Sequence, residues 1–195
     1  MPLIKHVSHP ARWLPKTCPR PIILILLGLI LLPATVAFSE ALVGPEYEVK
    51  AGFIYNFMKF VRWPESSTEQ GKQPLVLCFA TNEPAVGNVL FKLDNTRIED
   101  RTIKILQYDS TIDPKTCNVF YFATPDNEFT GSILSQIKHA GILTIGESEG
   151  FIEMGGIINF FVDNQRLRFQ VNLKAAQQQG ISFSSQLLRS AVIVP

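Results

Sequence analysis

The sequence predicts a single α/β domain: a mixed β-sheet flanked by helices, with a C-terminal β-hairpin and a last helix. Three observations predict it. Short apolar runs of strand length alternate with stretches whose apolar residues recur every three or four positions. Beyond Gly150 two strand-like runs surround the turn-forming pair Asp163-Asn164. The stretch 38–195 also suits one domain with a full-sized core, and it shows no repeat or second boundary.

The first 37 residues stand apart from this domain. Lys5, Arg12, Lys16 and Arg20 form a basic start without acids. An apolar run from Ile22 to Leu32 follows, and then the small residues of PATVAFSEA. Positive region, short apolar core and small-residue cleavage site are the order of a secretory signal peptide. The run is short of the ~20 residues that a membrane span needs. Cleavage after Ala37 or after Ala41 fits the pattern, with an uncleaved anchor as the alternative, and the expectation is an exported, soluble protein.

Within the domain, Pro45 to Val61 carries apolar residues at Val49, Phe53, Ile54, Phe57, Phe60 and Val61, the spacing of an amphipathic helix. Trp63-Pro64 stops it. ESSTEQGKQ is polar and loop-like, and PLVLCFA, apolar throughout, reads as a buried strand. PAVGNVLFKL predicts a helix, IKILQY and NVFYFA two strands, EFTGSILSQIKHAG a helix ending at Gly141, and ILTIG a further strand. IINFFVDNQRLRFQVN is the hairpin, and LKAAQQQG is a helical turn or two stopped by Gly180. SSQLLRSAVIV closes the chain as a helix capped by Ser184 or Ser185.

Charge and cysteine usage narrow the function classes. Four of the 18 Lys and Arg and none of the 17 Asp and Glu lie in the first 37 residues, so the rest carries 14 − 17 = −3. A mildly acidic domain has no electrostatic footprint for nucleic acid. Cys18 falls in the leader, leaving Cys78 and Cys117, an even pair at the edges of apolar runs. In an oxidising compartment such a pair suggests a disulfide, with two buried thiols as the alternative. Two Cys and one His show no metal-ligand spacing, and no cofactor motif is present.

Gly146 to Gly150 reads GESEG, the G-x-S-x-G pattern of a serine-hydrolase elbow. The elbow needs a helix after it, and FIEMGGIINFF favours a turn and a strand. No histidine follows Ser148 to serve as its base; His139 lies upstream, near a helix end. Glu147 and Glu149 are expected as solvated carboxylates of a polar turn. Nothing assembles a catalytic set, and no enzyme is expected.

Two stretches carry a family resemblance. Glu46 to Glu65 holds the pattern K-A-x-x-x-x-N-F-x-K-F-x-x-W-P in Lys50, Ala51, Asn56, Phe57, Lys59, Phe60, Trp63 and Pro64. Gly155 to Ala191 holds a Gly-x-Ile-x-Phe strand (Gly156, Ile158, Phe160), an Arg-x-x-Phe strand (Arg166, Phe169) and a serine-rich end. Together these resemble the YfiR-like family of periplasmic proteins. The resemblance implies an α/β fold and repression of an inner-membrane diguanylate cyclase through its periplasmic sensor domain. It also implies relief by an outer-membrane lipoprotein, and dimerisation. Lys50, Asn56, Phe60, Pro64, Gly156, Ile158, Phe160 and Phe169 are then motif positions of structural type. Cys78 and Cys117 fit the first of the family's two disulfides in spacing; the second has no counterpart.

The residues themselves add candidates for a partner or dimer face. Tyr55, Met58 and Trp63 belong to a helix with aromatic residues on more than one side, and aromatic anchors are enriched at hot spots. Arg166 and Arg168, two apart on a strand, share one face and could meet a partner's acids. The competing function is a small-molecule-binding module, tuning a sensor kinase or transport system, with its ligand at the strand ends.

Overall fold

The computed structural model describes residues 43–64 and 73–194. The signal segment and nearly all of the loop ESSTEQGKQ lie outside the described residues. Helix α1 spans Val43–Phe60 and runs directly into the two-residue strand β1, Val61–Arg62. Strand β2 is Leu75–Thr81, helix α2 is Pro84–Leu90, and a 3-10 turn follows at Phe91–Leu93. Strands β3 (Arg97–Ile98), β4 (Arg101–Gln107) and β5 (Val119–Ala123) precede helix α3, Asn127–Gln136. Then come β6 (Leu143–Gly146), β7 (Ile158–Asp163), β8 (Arg166–Asn172) and α4 (Leu173–Gln178). Strand β9 (Ser182–Phe183), helix α5 (Ser185–Leu188) and strand β10 (Val192–Val194) complete the order.

The main sheet has eight strands in the order β10-β8-β7-β6-β5-β2-β4-β3, and β1 pairs with β9 apart from it. The run β4-β2-β5-β6-β7 is parallel; β8 is antiparallel to β7, and β3 to β4. The centre is parallel because its strands are apolar on both faces, as two flanking layers require. Along β5, Val119, Tyr121 and Ala123 face one cluster, while Phe120 and Phe122 face the other. Helices α1, α2, α4 and α5 cover the first face, and α3 with Phe151 covers the second. From the middle of the sheet the chain winds outward both ways: β2 to β4 through α2, β5 to β6 through α3. Right-handed crossovers in opposite directions require helices on opposite faces, and that is the arrangement here.

Helix α1 buries Ala51, Ile54, Phe57 and Met58 against the first face. Its rings interlock with the hairpin: Phe57 lies 4.8 Å from Phe169 and 5.7 Å from Phe160, centroid to centroid. Val49, expected on the apolar stripe, is 51% exposed, because the buried arc is centred on Ile54 and Met58 instead. The hairpin turn places Asn164 and Gln165 at φ 48° and 61°. Two successive positive φ values make the twist that joins antiparallel strands tightly.

Three boundaries differ from the sequence expectation. Helix α3 ends at Gln136 rather than near Gly141, because Ile137 turns into the second core and Gln179 captures the chain beyond. Its amide donates to the Ile137 carbonyl and its side-chain oxygen accepts from the Gly141 N–H. The last helix is a single turn capped by Ser184, whose Oγ accepts from Leu187 N–H at 3.3 Å. The residues after it pair in parallel with β8 as strand β10, since Val192 to Val194 are β-branched.

Between β6 and β7 the chain crosses the second face carrying Phe151, which is fully buried. A Cβ on Gly146 would meet this ring at 2.4 Å, and one on Gly156 at 2.1 Å. Two glycines thus make the slot for one phenylalanine. Gly156→Ala is expected to cost about 3 kcal/mol by overpacking. Denaturant titration checks this, and the cost should fall sharply when Gly156→Ala is made in a Phe151→Ala background.

Cys78 and Cys117 form a disulfide, Cα to Cα 5.8 Å, closing a loop with a sequence separation of 39. It clips β2 to the approach of β5 beneath α3. Chain entropy gives it at most about 4 kcal/mol. Protein alkylated without reductant should carry no label on Cys78 or Cys117 by peptide mass spectrometry. Replacing both by Ala should lower the unfolding free energy by up to that amount.

Candidate functional site

Lys50 is the departure from apolar pattern that organises the site. It is placed on α1 one turn before Ile54 and two before Met58, on the face that packs against the sheet, and its side chain is 7% exposed. A buried ammonium must be paired. Its Nζ donates to Glu46 Oε1 at 2.6 Å, one turn back, and to Glu147 Oε2 at 2.5 Å, just past the end of β6. The Tyr47 ring centroid lies 4.8 Å from the ammonium. From the floor, Tyr121 on β5 donates its hydroxyl to the same Glu147 oxygen at 2.9 Å. One carboxylate oxygen therefore joins α1, β5 and β6.

These groups shift one another. Burial, the largest single influence, lowers the Lys50 pKa, yet its hydrogen bonds to Glu147 and Glu46 and their charges together outweigh burial and raise it above the usual lysine value. Burial, and next the Glu147 charge, raise the Tyr121 phenol well above its ordinary value. Tyr47 is raised for the same two causes in the same order.

Above this cluster opens a cleft of about 370 Å³ at the carboxyl ends of β5, β6 and β7. Lys50, Glu147 and Ser148 line its polar side together with Glu46 and Tyr47. Phe160, Phe161, Val162 and Leu167 of the hairpin wall the other, with Thr124 and Pro125 between. Ser148 is the serine of the elbow-like string. The segment after it is a turn leading to β7, and its Oγ is buried without a hydrogen-bond partner among the described residues. The Ser148 carbonyl accepts from Asn159 Nδ2 at 3.2 Å, which pins the turn. His139, the only described histidine, lies against the Gln178 carbonyl at 2.9 Å, exposed and holding a helix end.

The positions singled out in the sequence divide accordingly. Lys50 and Phe160 meet at the cleft, and Ile158, Phe169 and Gly156 are buried beneath or beside it. Phe60 is half-buried against the first core, and Pro64 covers Gly141 and Gly180 from 3.3 and 3.2 Å of their absent Cβ positions. Asn56 is exposed on α1. Of the interface candidates, Met58 is 1% exposed, so it is core rather than surface. Tyr55 is half-buried with its hydroxyl donating to the Arg97 carbonyl, and Trp63 packs partly against the first core. Arg166 and Arg168 are exposed on β8, where Arg168 Nη1 is 3.4 Å from Asp163 Oδ2. Glu147, expected as a solvated carboxylate, is 18% exposed and twice hydrogen-bonded. Tyr121 was hidden in an apolar run. A lysine in phase with buried Ile54 and Met58 was the signal that an internal carboxylate had to exist.

Because the folded pKa values of Lys50 and Tyr121 lie above their ordinary values of 10.5 and 10.0, the unfolded chain releases these protons first. Their contribution is fully present below about pH 10 and is lost as pH rises further. The unfolding free energy should therefore fall above that pH. Lys50→Met should cost roughly 2–3 kcal/mol at pH 7 by stranding Glu147, and flatten the alkaline fall. Chemical denaturation from pH 7 to pH 11 reads both.

Comparison with known proteins bears on the family. The family model described as DUF4154, YfiR/HmsC-like, matches residues 47–192. No curated protein matches the sequence. Among solved structures, a conserved domain protein from Vibrio cholerae O1 biovar El Tor is similar at 14% identity and TM-score 0.49, over 76% of this chain and 60% of that one. The ABC domain from Streptococcus pneumoniae, solved in complex with L-Trp, is similar at 12% identity and TM-score 0.42, over 63% and 55%. The chain thus spans less than two thirds of either structure, and likenesses this distant carry no argument. The family match covers the disulfide, the hairpin and all of the cleft lining except Glu46, and the chain belongs to the YfiR/HmsC-like family, one of regulators of periplasmic signalling.

Proposed function

We propose that this chain is a periplasmic regulatory protein that binds the periplasmic sensor domain of an inner-membrane signalling protein and represses it. The favoured target is a diguanylate cyclase, so that the protein lowers cyclic-di-GMP; a sensor kinase is the second target of the same kind. The family match over residues 47–192 carries this reading. In it, residues 1–37 are the export signal, removed to leave 38–195, and no helix among the described residues is long and apolar enough to cross a membrane. An outer-membrane lipoprotein that relieves the repression and a homodimer belong to the same proposal.

The hairpin gives the reading a surface. Arg166 and Arg168 are exposed on one face of β8, and neither is buried by the fold. Two guanidinium groups on one face suit a partner surface that offers acids. The open strand β10, with Val192 and Ile193 about two-fifths exposed, gives the homodimer an unpaired edge.

Cellular cyclic-di-GMP, measured with the gene deleted and then restored, tests the function. A rise on deletion that restoration reverses is the expected result. Restoration with Arg166→Glu/Arg168→Glu should leave the level high while the variant accumulates and melts as the unaltered protein does. Unchanged cyclic-di-GMP on deletion would remove the cyclase and leave crosslinking to identify another target.

A further inference from the structure

We infer that the cleft between α1 and the hairpin is a receptor site for a small organic cation, an ammonium or guanidinium group carried on an apolar body. The polar side of the cleft has spare acceptors and no spare donor charge. Lys50 Nζ is engaged by Glu46, Glu147 and the face of the Tyr47 ring. Glu147 uses only Oε2, which takes both Lys50 and Tyr121, and Glu46 uses only Oε1. The second oxygen of each carboxylate has no partner among the described residues. Ser148 belongs to the same lining, and its Oγ is buried and without a partner among the described residues. Of these three groups the Ser148 hydroxyl is the one buried and left unpaired, which in a native fold calls for a partner.

Charge selects the class of ligand. Two carboxylates face one ammonium, so the lining carries a net −1, and the charge of Glu83 also bears on Tyr47 at the rim. An anion would have to displace a carboxylate from Lys50 to be held. A cation completes the set by taking the free oxygens. The opposite wall of Phe160, Val162 and Leu167 has nothing polar to offer, and Val162 is left largely exposed, so the remainder of the ligand is apolar. The volume lies at the low end for small-molecule sites, and the carboxyl ends of parallel strands are where open α/β sheets hold them.

Isothermal titration of protein purified after expression of the full chain tests this directly, and the assay does not involve the cyclase. The probes are 2-phenylethylamine, cyclohexylmethylamine and 3-phenylpropionate, the last a charge-reversed analogue of the first. Saturable 1:1 binding of the amines is expected at Kd about 1 mM or tighter, with the carboxylate at least about tenfold weaker. Val162→Lys places a positive charge on the wall without touching the Lys50 cluster. It should weaken the amines about tenfold or more with an unchanged melting temperature. Glu147→Gln should weaken them as well, and Val162→Lys keeps the test valid if that variant unfolds. No heat from either amine up to about 5 mM, equal binding of the carboxylate, or indifference to Val162→Lys would each overturn the site. Loss of the site would leave the repression proposal standing, and loss of repression would leave the site standing.

Discussion

An ammonium taken out of water has to find its counter-charges, and at Lys50 that requirement ties the first helix to the carboxyl edge of the sheet. Glu46, one turn back on the same helix, could pair with Lys50 in isolation, but such a pair on an exposed helix contributes only a few tenths of a kcal/mol. Glu147 makes the pairing tertiary. It comes from a position nearly one hundred residues later, just past β6, and the Tyr121 hydroxyl on β5 holds the same oxygen from below. Helix α1 could slide along an apolar surface at modest cost, because hydrophobic contact is not directional. A hydrogen-bonded ion pair is directional, and it fixes the register in which Phe57 meets Phe160 and Phe169.

The short string after β6 is held from both faces of the sheet, and this accounts for its composition. Gly146 has no side chain because Phe151 occupies that space on the α3 side. Glu147 reaches the α1 side, and the Ser148 carbonyl is taken by Asn159. What resembles a nucleophile elbow is a turn whose residues each answer a different packing or charge demand. The serine stands in a cleft, as an elbow serine does, but with a lysine and two carboxylates around it rather than an imidazole. Such surroundings bind charge, and the raised pKa of Lys50 keeps it an ammonium.

The layers were legible in the sequence because burial on two faces leaves a plain record. PLVLCFA and NVFYFA have no polar face, and no exposed strand could carry them. The hairpin was legible too, although its turn is centred on Asn164-Gln165 rather than Asp163-Asn164, since the positive φ positions depend on the strand twist. Strands β3 and β9, two residues each, leave no periodic trace. The end of α3 is set by Gln179, forty-odd residues away, and nothing local to Ile137 announces it. The site was half legible. Lys50 lies in phase with Ile54 and Met58, but its partners are a carboxylate in a polar turn and a tyrosine in an apolar run. Neither looks unusual until the strands lie side by side.

A ligand changes a partner's grip only if it binds the partnered and free states differently. The hairpin gives that difference a physical route. Leu167 points into the cleft, while Arg166 and Arg168 on either side of it point to the opposite face of the same strand. Val162, across from Leu167, belongs to both the cleft wall and the exposed tip. Any shift of β8 toward an apolar body in the cleft moves both guanidinium groups together, and Asp163, which holds Arg168, lies at the turn between them. An effector that loosens the partner must in turn be held less tightly by the complex than by the free protein, by the same factor. In this reading the cleft and the arginine face are two sides of one two-stranded lever, anchored at its base by Phe57 and free at its tip.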